Sequence, residues 1–263
     1  MKRLDYSNEL NQHVVICNCN EKVKIIVEEL QNSSTTESLD VVLLVQDTQL
    51  WEANPSWHPF VSSNARFIVF MGCPTDKDVL QRAGISRARA AIILADPKYG
   101  KLADAPSSLT AIAIERENPQ VHTVMELIFS LNRPHLETTE VNEIICIGEI
   151  SEKLIALSCI TPGVKNIFEN LLTTEDGTPQ IFLVEIPRRY CKMTFRQMAR
   201  RAILNLAPFI IMGYIIKFNS QTKFIINPKA KTNPGKDTIL KEGSKLIVIS
   251  YSNPDLEKYL SII

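Results

Sequence analysis

The sequence predicts an α/β protein: a Rossmann-like doubly wound parallel sheet, a helical crossover, and a smaller β-rich α+β C-terminal lobe. Three observations point there. Short, wholly apolar runs rich in β-branched residues alternate with amphipathic stretches across residues 13–149. Strands apolar on both sides belong to parallel sheets covered on both faces. From Glu149 that rhythm stops, two amphipathic helical stripes follow, and beyond Gly177 the pattern turns β-rich.

Taken in order, residues 1–12 are polar and read as a linker, with no apolar middle of the kind a signal peptide carries. His13 to Cys17 is the first strand. Asn20 to Leu30 sets Val23, Ile26, Val27 and Leu30 on one helical face, and Gln31 to Ser38 is a loop. Leu39 to Val45, Arg66 to Phe70, Ala90 to Leu94, Val121 to Leu127 and Glu143 to Ile147 supply the remaining strands of the lobe at 13–149. Thr48 to Ser63, with two prolines and two tryptophans, reads as loop more than helix. Thr75 is placed to cap a helix over Asp76 to Ala83, and Gly84 to stop it. Asp104 is placed to cap the helix through Ser107 to Asn118, with Pro106 in its first turn.

Residues 150–175 form the crossover. Ile150, Leu154, Leu157 and Ile160 make one stripe, and Val164, Ile167, Phe168, Leu171 and Leu172 a second, around the breaker Thr161-Pro162-Gly163. With the sheet already covered, a second subunit is the natural host for these faces. Residues 176–263 are a lobe of roughly 85 residues. It has strands over Gln180 to Ile186, Phe209 to Phe218, Lys223 to Asn227 and Lys245 to Ser250, and a helix over Thr194 to Leu204.

Composition narrows the function. Lys plus Arg and Asp plus Glu both number 29, so the chain is neutral overall and lacks the concentrated basic surface nucleic acid requires. The bunched Arg188, Arg189, Arg196, Arg200 and Arg201 read as a solvated face. No apolar run approaches the ~20 residues of a membrane helix. The chain as given is therefore expected to be soluble, with any membrane part left out of it or lying on another subunit. The six cysteines show no CxxC pair and the four histidines no matching spacing, which predicts reduced cytosolic thiols rather than a zinc site.

The turn after the first strand is where a dinucleotide fold carries GxGxxG, whose glycines admit the pyrophosphate. Asn18, Asn20 and Val23 stand at those places. Asn tolerates a left-handed turn at 18, but a side chain at 20 intrudes where phosphates lie. The acid that grips ribose is replaced by Val45, with Asp47 two residues later. NAD in its usual pose and hydride transfer are both disfavoured, and no serine elbow, HExxH or Walker loop appears. The sequence predicts no enzyme.

The stretch HVVICNCNEK from His13 resembles the opening strand of RCK domains, the regulators of potassium conductance. GCPTDKDVLQRAGISRARAAIILAD, Gly72 to Asp96, is similar to that family nearly throughout. Pro162-Gly163-Val164 resembles its crossover, and TILKEGSKLIVI from Thr238 its last turn and strand. The resemblance implies a homodimer that assembles into an octameric gating ring on the cytoplasmic side of a potassium channel pore. Ligand binding in the cleft would then shift the paired lobes and pull on the pore. A soluble nucleotide-binding regulatory subunit of a potassium uptake transporter is the alternative, disfavoured by the missing glycines.

Asn18, Asn20, Glu21, Asp47 and Asp96 are the candidate cleft residues. Asp47 stands near a strand end where open α/β sheets bind ligands, and Glu21 opens the first helix, where its charge also suits the dipole. Asp104 and Glu126 match acids of a calcium-activated relative, which makes them candidate calcium ligands. Each has a plainer reading, Asp104 as a helix cap and Glu126 as a buried, paired carboxylate. A second acid of that relative is replaced by Ile128, and calcium wants about six to eight oxygens.

Overall fold

The computed structural model describes residues 9–32, 39–61, 65–136, 139–175, 177–219 and 221–261. The chain divides into two compact units between Lys165 and Asn166, within the predicted crossover. In the first unit β1 (Val14–Cys17), α1 (Val23–Asn32), β2 (Val41–Val45), α2 (Thr48–Glu52), β3 (Phe67–Met71), α3 (Lys77–Arg82) and β4 (Ala90–Ile93) alternate along the chain. They are followed by α4 (Asp104–Glu117), β5 (His122–Leu127), α5 (Arg133–Leu136), β6 (Glu143–Cys146) and α6 (Ile147–Ile160). The six strands are parallel in the order β3-β2-β1-β4-β5-β6, so the strand order reverses between β1 and β4. That reversal is the switch point at which open α/β sheets place their ligands. The doubly wound expectation is met.

Every residue of β1 and β2 is buried, as their unbroken apolar sequences require. One core layer packs Val15, Cys17, Leu44, Ile93 and Met125 with Leu80 of α3 and Ile114 of α4. The opposite layer packs Ile16, Leu43 and Val45 with Val23 and Val27 of α1 and with Trp51. Coverage fails toward β6. Ile92, Leu94, Val124, Ile145 and Ile147 line an apolar groove beside α1, and Ile145 is 41% exposed. Helices that wind outward in opposite senses from β1 and β4 cover opposite faces, which leaves this quadrant of the sheet to other elements.

Several boundaries move for identifiable reasons. α1 starts at Val23 because Asn20 makes a capped turn, its Oδ1 accepting from Lys22 N at 3.0 Å. Asp76, not Thr75, caps α3, accepting from Asp78 N, and Gly84 follows with the left-handed φ of 74° expected of a helix stop. Asp104 does not cap α4. It lies inside the first turn with Ala103 at the cap, and its carboxylate points elsewhere. Thr48 to Ser63 begins with α2, capped by Asp47, and Trp51 stacks on His58 with centroids 4.3 Å apart. Of the proposed linker, residues 1–8 lie outside the described residues, and Leu10 is fully buried in the core. Of the loop at 31–38, residues 33–38 likewise lie outside them.

His13, fully buried ahead of β1, bonds Ala83 O through Nε2 at 2.9 Å, while its Nδ1 has no partner. Burial depresses its pKa below the ordinary 6.5, with Arg87 and Arg66 adding to the effect and Asp40 and the Ala83 carbonyl opposing it. The unfolded chain therefore takes up the proton first as pH falls. The stability contributed by neutral His13 is complete above pH 6.5 and declines as pH falls below that value. Urea unfolding between pH 7.5 and 5 is expected to show a decline of about 1 kcal/mol per unit, on the order of one proton, that His13→Asn flattens.

The second unit holds all but the first two residues of α7 (Val164–Leu172), then β7 (Gln180–Glu185), α8 (Phe195–Leu204), β8 (Phe209–Phe218), β9 (Gln221–Ile226), β10 (Lys245–Ser250) and α9 (Leu256–Tyr259). Its sheet is antiparallel, β7-β10-β8-β9, as the β-rich pattern predicts. Phe195, Met198 and Ala202 of α8 pack on Tyr214, Leu246 and Val248. Thr194 and Gln197 close a reciprocal capping box at the start of α8. Arg188, Arg189 and Arg196 of the basic cluster pair with Glu242, Glu257 and Asp237.

Candidate functional site

At the carboxyl ends of β1, β2 and β4 the chain encloses a cleft of about 430 Å³ lined by Asn18, Cys19, Gln46, Asp47, Leu50, Asp96, Pro97 and Lys98. Three of the five residues proposed for it therefore come together: Asn18, Asp47 and Asp96. Asn18 takes the left-handed conformation with φ 68°, so the tight turn survives without glycine. Its side chain is spoken for on both sides. Nδ2 donates to Leu94 O at 2.9 Å, and Oδ1 accepts from Gln46 Nε2 at 3.2 Å.

Asn20 and Glu21 do not line the cleft. Asn20 is buried beneath the turn, its Nδ2 donating to Ala95 O at 3.0 Å and to Glu126 Oε2 at 3.4 Å. A phosphate at the start of a helix binds the free N–H groups there. Here the Asn20 side chain already accepts from Lys22 N, and its backbone oxygen from Val23 N. Glu21 is exposed, its carboxylate 3.7 Å from Lys22 Nζ.

Asp47 and Asp96 face the cleft from two helical starts. Asp47 Oδ1 accepts from Gln49 N and Leu50 N, and Asp96 Oδ1 from Lys98 N at 2.9 Å. In both, the second carboxylate oxygen is left for a ligand. Asp96 is only 8% exposed, and Cys19 between them only 5%. Burial, then the Asp96 and Asp47 charges, push the Cys19 thiol up to about 11, so it stays protonated and is a poor nucleophile.

Sequence reasoning missed Cys19, Gln46, Leu50, Pro97 and Lys98. Cys19, Gln46 and Pro97 adjoin residues that were singled out, Leu50 and Lys98 lie within three positions of one, and the strand ends at Cys17, Val45 and Ile93 were the signal that could have found them.

The two proposed calcium ligands have other work. Asp104, 4% exposed, accepts from Ile128 N at 2.8 Å, Phe129 N at 3.1 Å and Asn132 Nδ2 at 2.7 Å. Glu126, 6% exposed, accepts from Lys22 Nζ at 2.7 Å and Ala95 N at 3.0 Å as well as from Asn20. Oxygens occupied by N–H donors, one of them an ammonium, do not fit a divalent cation, which needs bare oxygens and repels a lysine. Among the described residues no group of three His, Cys, Asp or Glu is arranged to hold a metal. Nor is any helix among them long and apolar enough to cross a membrane.

Residues 9–125 match the family model of the calcium-activated potassium channel slowpoke-like RCK domain. The calcium-gated potassium channel TvoK of Thermoplasma volcanium is 26% identical over 220 residues, covering 82% of this chain and 58% of the relative. The probable ion channel POLLUX of Arabidopsis thaliana is 23% identical over 248 residues, covering 91% of this chain and 28% of the relative. The chain thus spans just over half of one and little more than a quarter of the other. The human SLO3 gating ring superposes with a TM-score of 0.64 at 16% identity, over 91% of this chain and 44% of that one, a likeness of fold. The matched segment, just under half of the chain, carries the opening strand, the switch-point cleft and the Gly72 to Asp96 stretch, and over it the chain is similar to the slowpoke-like RCK domain.

Proposed function

We propose that the chain is a ligand-sensing regulatory module that gates a potassium channel from the cytoplasmic face of the membrane and catalyses nothing itself. The observation that carries this reading is the coincidence of the RCK match over residues 9–125 with a cleft at the sheet's switch point whose phosphate turn is closed. A closed turn and a protonated thiol leave a site suited to sensing rather than hydride transfer. A ligand held there shifts the module between two packings by as much as its affinity for them differs.

Such a module acts by assembling, as a homodimer and then an octameric ring. Ile155 (71% exposed), Ile160 (80%), Ile167 (58%) and Leu172 (72%) on α6 and α7 present apolar surface of the kind that pairing covers. The test joins the full chain, with its buried Leu10, to the pore segment of the Thermoplasma volcanium relative. We expect potassium currents whose open probability differs from that of the pore alone, and Ile155→Glu with Ile160→Glu to abolish the difference. Light scattering should give a mass at least twice the 29.7 kDa of one chain. A strict monomer on the order of tens of micromolar, with currents equal to those of the bare pore, would sink the proposal. Tight ADP or NAD binding without any effect on current would favour the transporter-subunit reading.

A further inference from the structure

Two segments of the second unit carry charge of nearly one sign. Residues 186–204 hold six Lys or Arg and no acid, and residues 223–241 hold five and the single acid Asp237. The fold lays them side by side: Lys192 N donates to Leu240 O at 2.8 Å, and Arg196 N to Lys236 O at 3.0 Å. The arginines Arg188, Arg189 and Arg196 spend their charge on Glu242, Glu257 and Asp237. Lys192, Lys229, Lys231 and Lys241 are exposed and enter no ion pair among the described residues. The loop that displays them is held in place. Lys236 N donates to Lys229 O at 3.0 Å, and the buried Tyr214 hydroxyl donates to Gly235 O at 2.7 Å. Lys192 and Lys231 stand at left-handed positions, with φ of 88° and 61°, where glycine or asparagine fits with less strain. Backbone strain of this kind collects at functional surfaces. Ile239, 56% exposed, belongs to the second segment and bridges to Thr194 of the first. An apolar side chain among free ammonium groups suits a boundary where anionic headgroups give way to acyl chains, whereas a soluble polyanion leaves it in water.

We propose that this face of the C-terminal lobe docks on an anionic lipid surface, its four free lysines against the headgroups and Ile239 entering between them. The contact uses neither the switch-point cleft nor a pore, so it stands or falls apart from the gating role.

The test sediments the full chain with vesicles of phosphatidylcholine alone, and of phosphatidylcholine with phosphatidylserine at about 3:1. Binding is expected to the second kind only, and to weaken as salt screens the lysines. Lys192→Gln, Lys229→Gln and Lys231→Gln should each weaken it about fivefold, and Ile239→Ser roughly threefold. Lys192→Gly is the sharper variant. It relieves the left-handed backbone, so it should resist urea at least as well as the parent while binding vesicles about fivefold more weakly. Damage to the fold would lower both. The proposal fails if the two kinds of vesicle bind equally or not at all, or if the lysine variants bind like the parent. It fails too if inorganic phosphate at constant ionic strength strips the chain from the vesicles, which would assign the lysines to a free phosphate. An RNA duplex that binds more tightly than the vesicles would assign them to nucleic acid instead. None of these results touches the currents of the chimeric channel, which test the gating role by themselves.

Discussion

Replacing Asp104 by Ala should lower the stability of the N-terminal unit by about 3 kcal/mol, among the largest single-residue losses expected there. The side chain is nearly inaccessible and collects three N–H donors, from Ile128, Phe129 and Asn132. Truncation strands those donors in the interior, at about 1 kcal/mol or more each. Asp104→Asn keeps one acceptor but turns an amide donor toward N–H groups, so its cost should fall between. Urea unfolding checks both, with the two units' transitions followed separately because a two-unit chain need not melt as one. Equal losses in calcium and in EDTA are expected. A deficit that appears only in calcium would restore Asp104 as a ligand.

This residue also shows where reading the sequence stops. An aspartate at a helix start with proline two places on has the pattern of a cap. Whether its carboxylate turns back to its own helix or across to the next strand's exit depends on a partner at 128–132, which periodicity does not encode. The strands were legible because burial on both faces leaves an unmistakable apolar run, as at Val41–Val45 and Lys245–Ser250. The fate of the phosphate loop was half legible. Asn18 kept the left-handed turn as its residue type allows. The side chain of Asn20 blocks the phosphate by capping the helix from below, not by standing in the cleft. The uncovered sheet quadrant was not legible, because Ile92 and Ile145 sit in runs as apolar as those of the covered strands.

Glu126 was legible as a carboxylate in need of a partner, and the partner supplies the second large effect. Lys22→Met should destabilise the N-terminal unit by about 2 kcal/mol. That is less than the ~3–5 kcal/mol of a fully buried pair, because the lysine is one-third exposed. The loss arises mainly from leaving a 6%-exposed carboxylate beside the apolar groove with only neutral donors. If so, Glu126→Gln placed on top of Lys22→Met should recover most of it, since the amide needs no counter-charge. A double-mutant cycle should return a coupling of about 1 kcal/mol or more. Additive losses would mean that the ammonium contributes nothing at Glu126. The other carboxylate oxygen, Oε2, receives Asn20 Nδ2 and Ala95 N, so the ion pair on Oε1 also steadies the side chain that closes the phosphate turn. The half-buried lysine just ahead of α1 thus does two jobs, neutralising the buried acid and steadying the turn that follows β1.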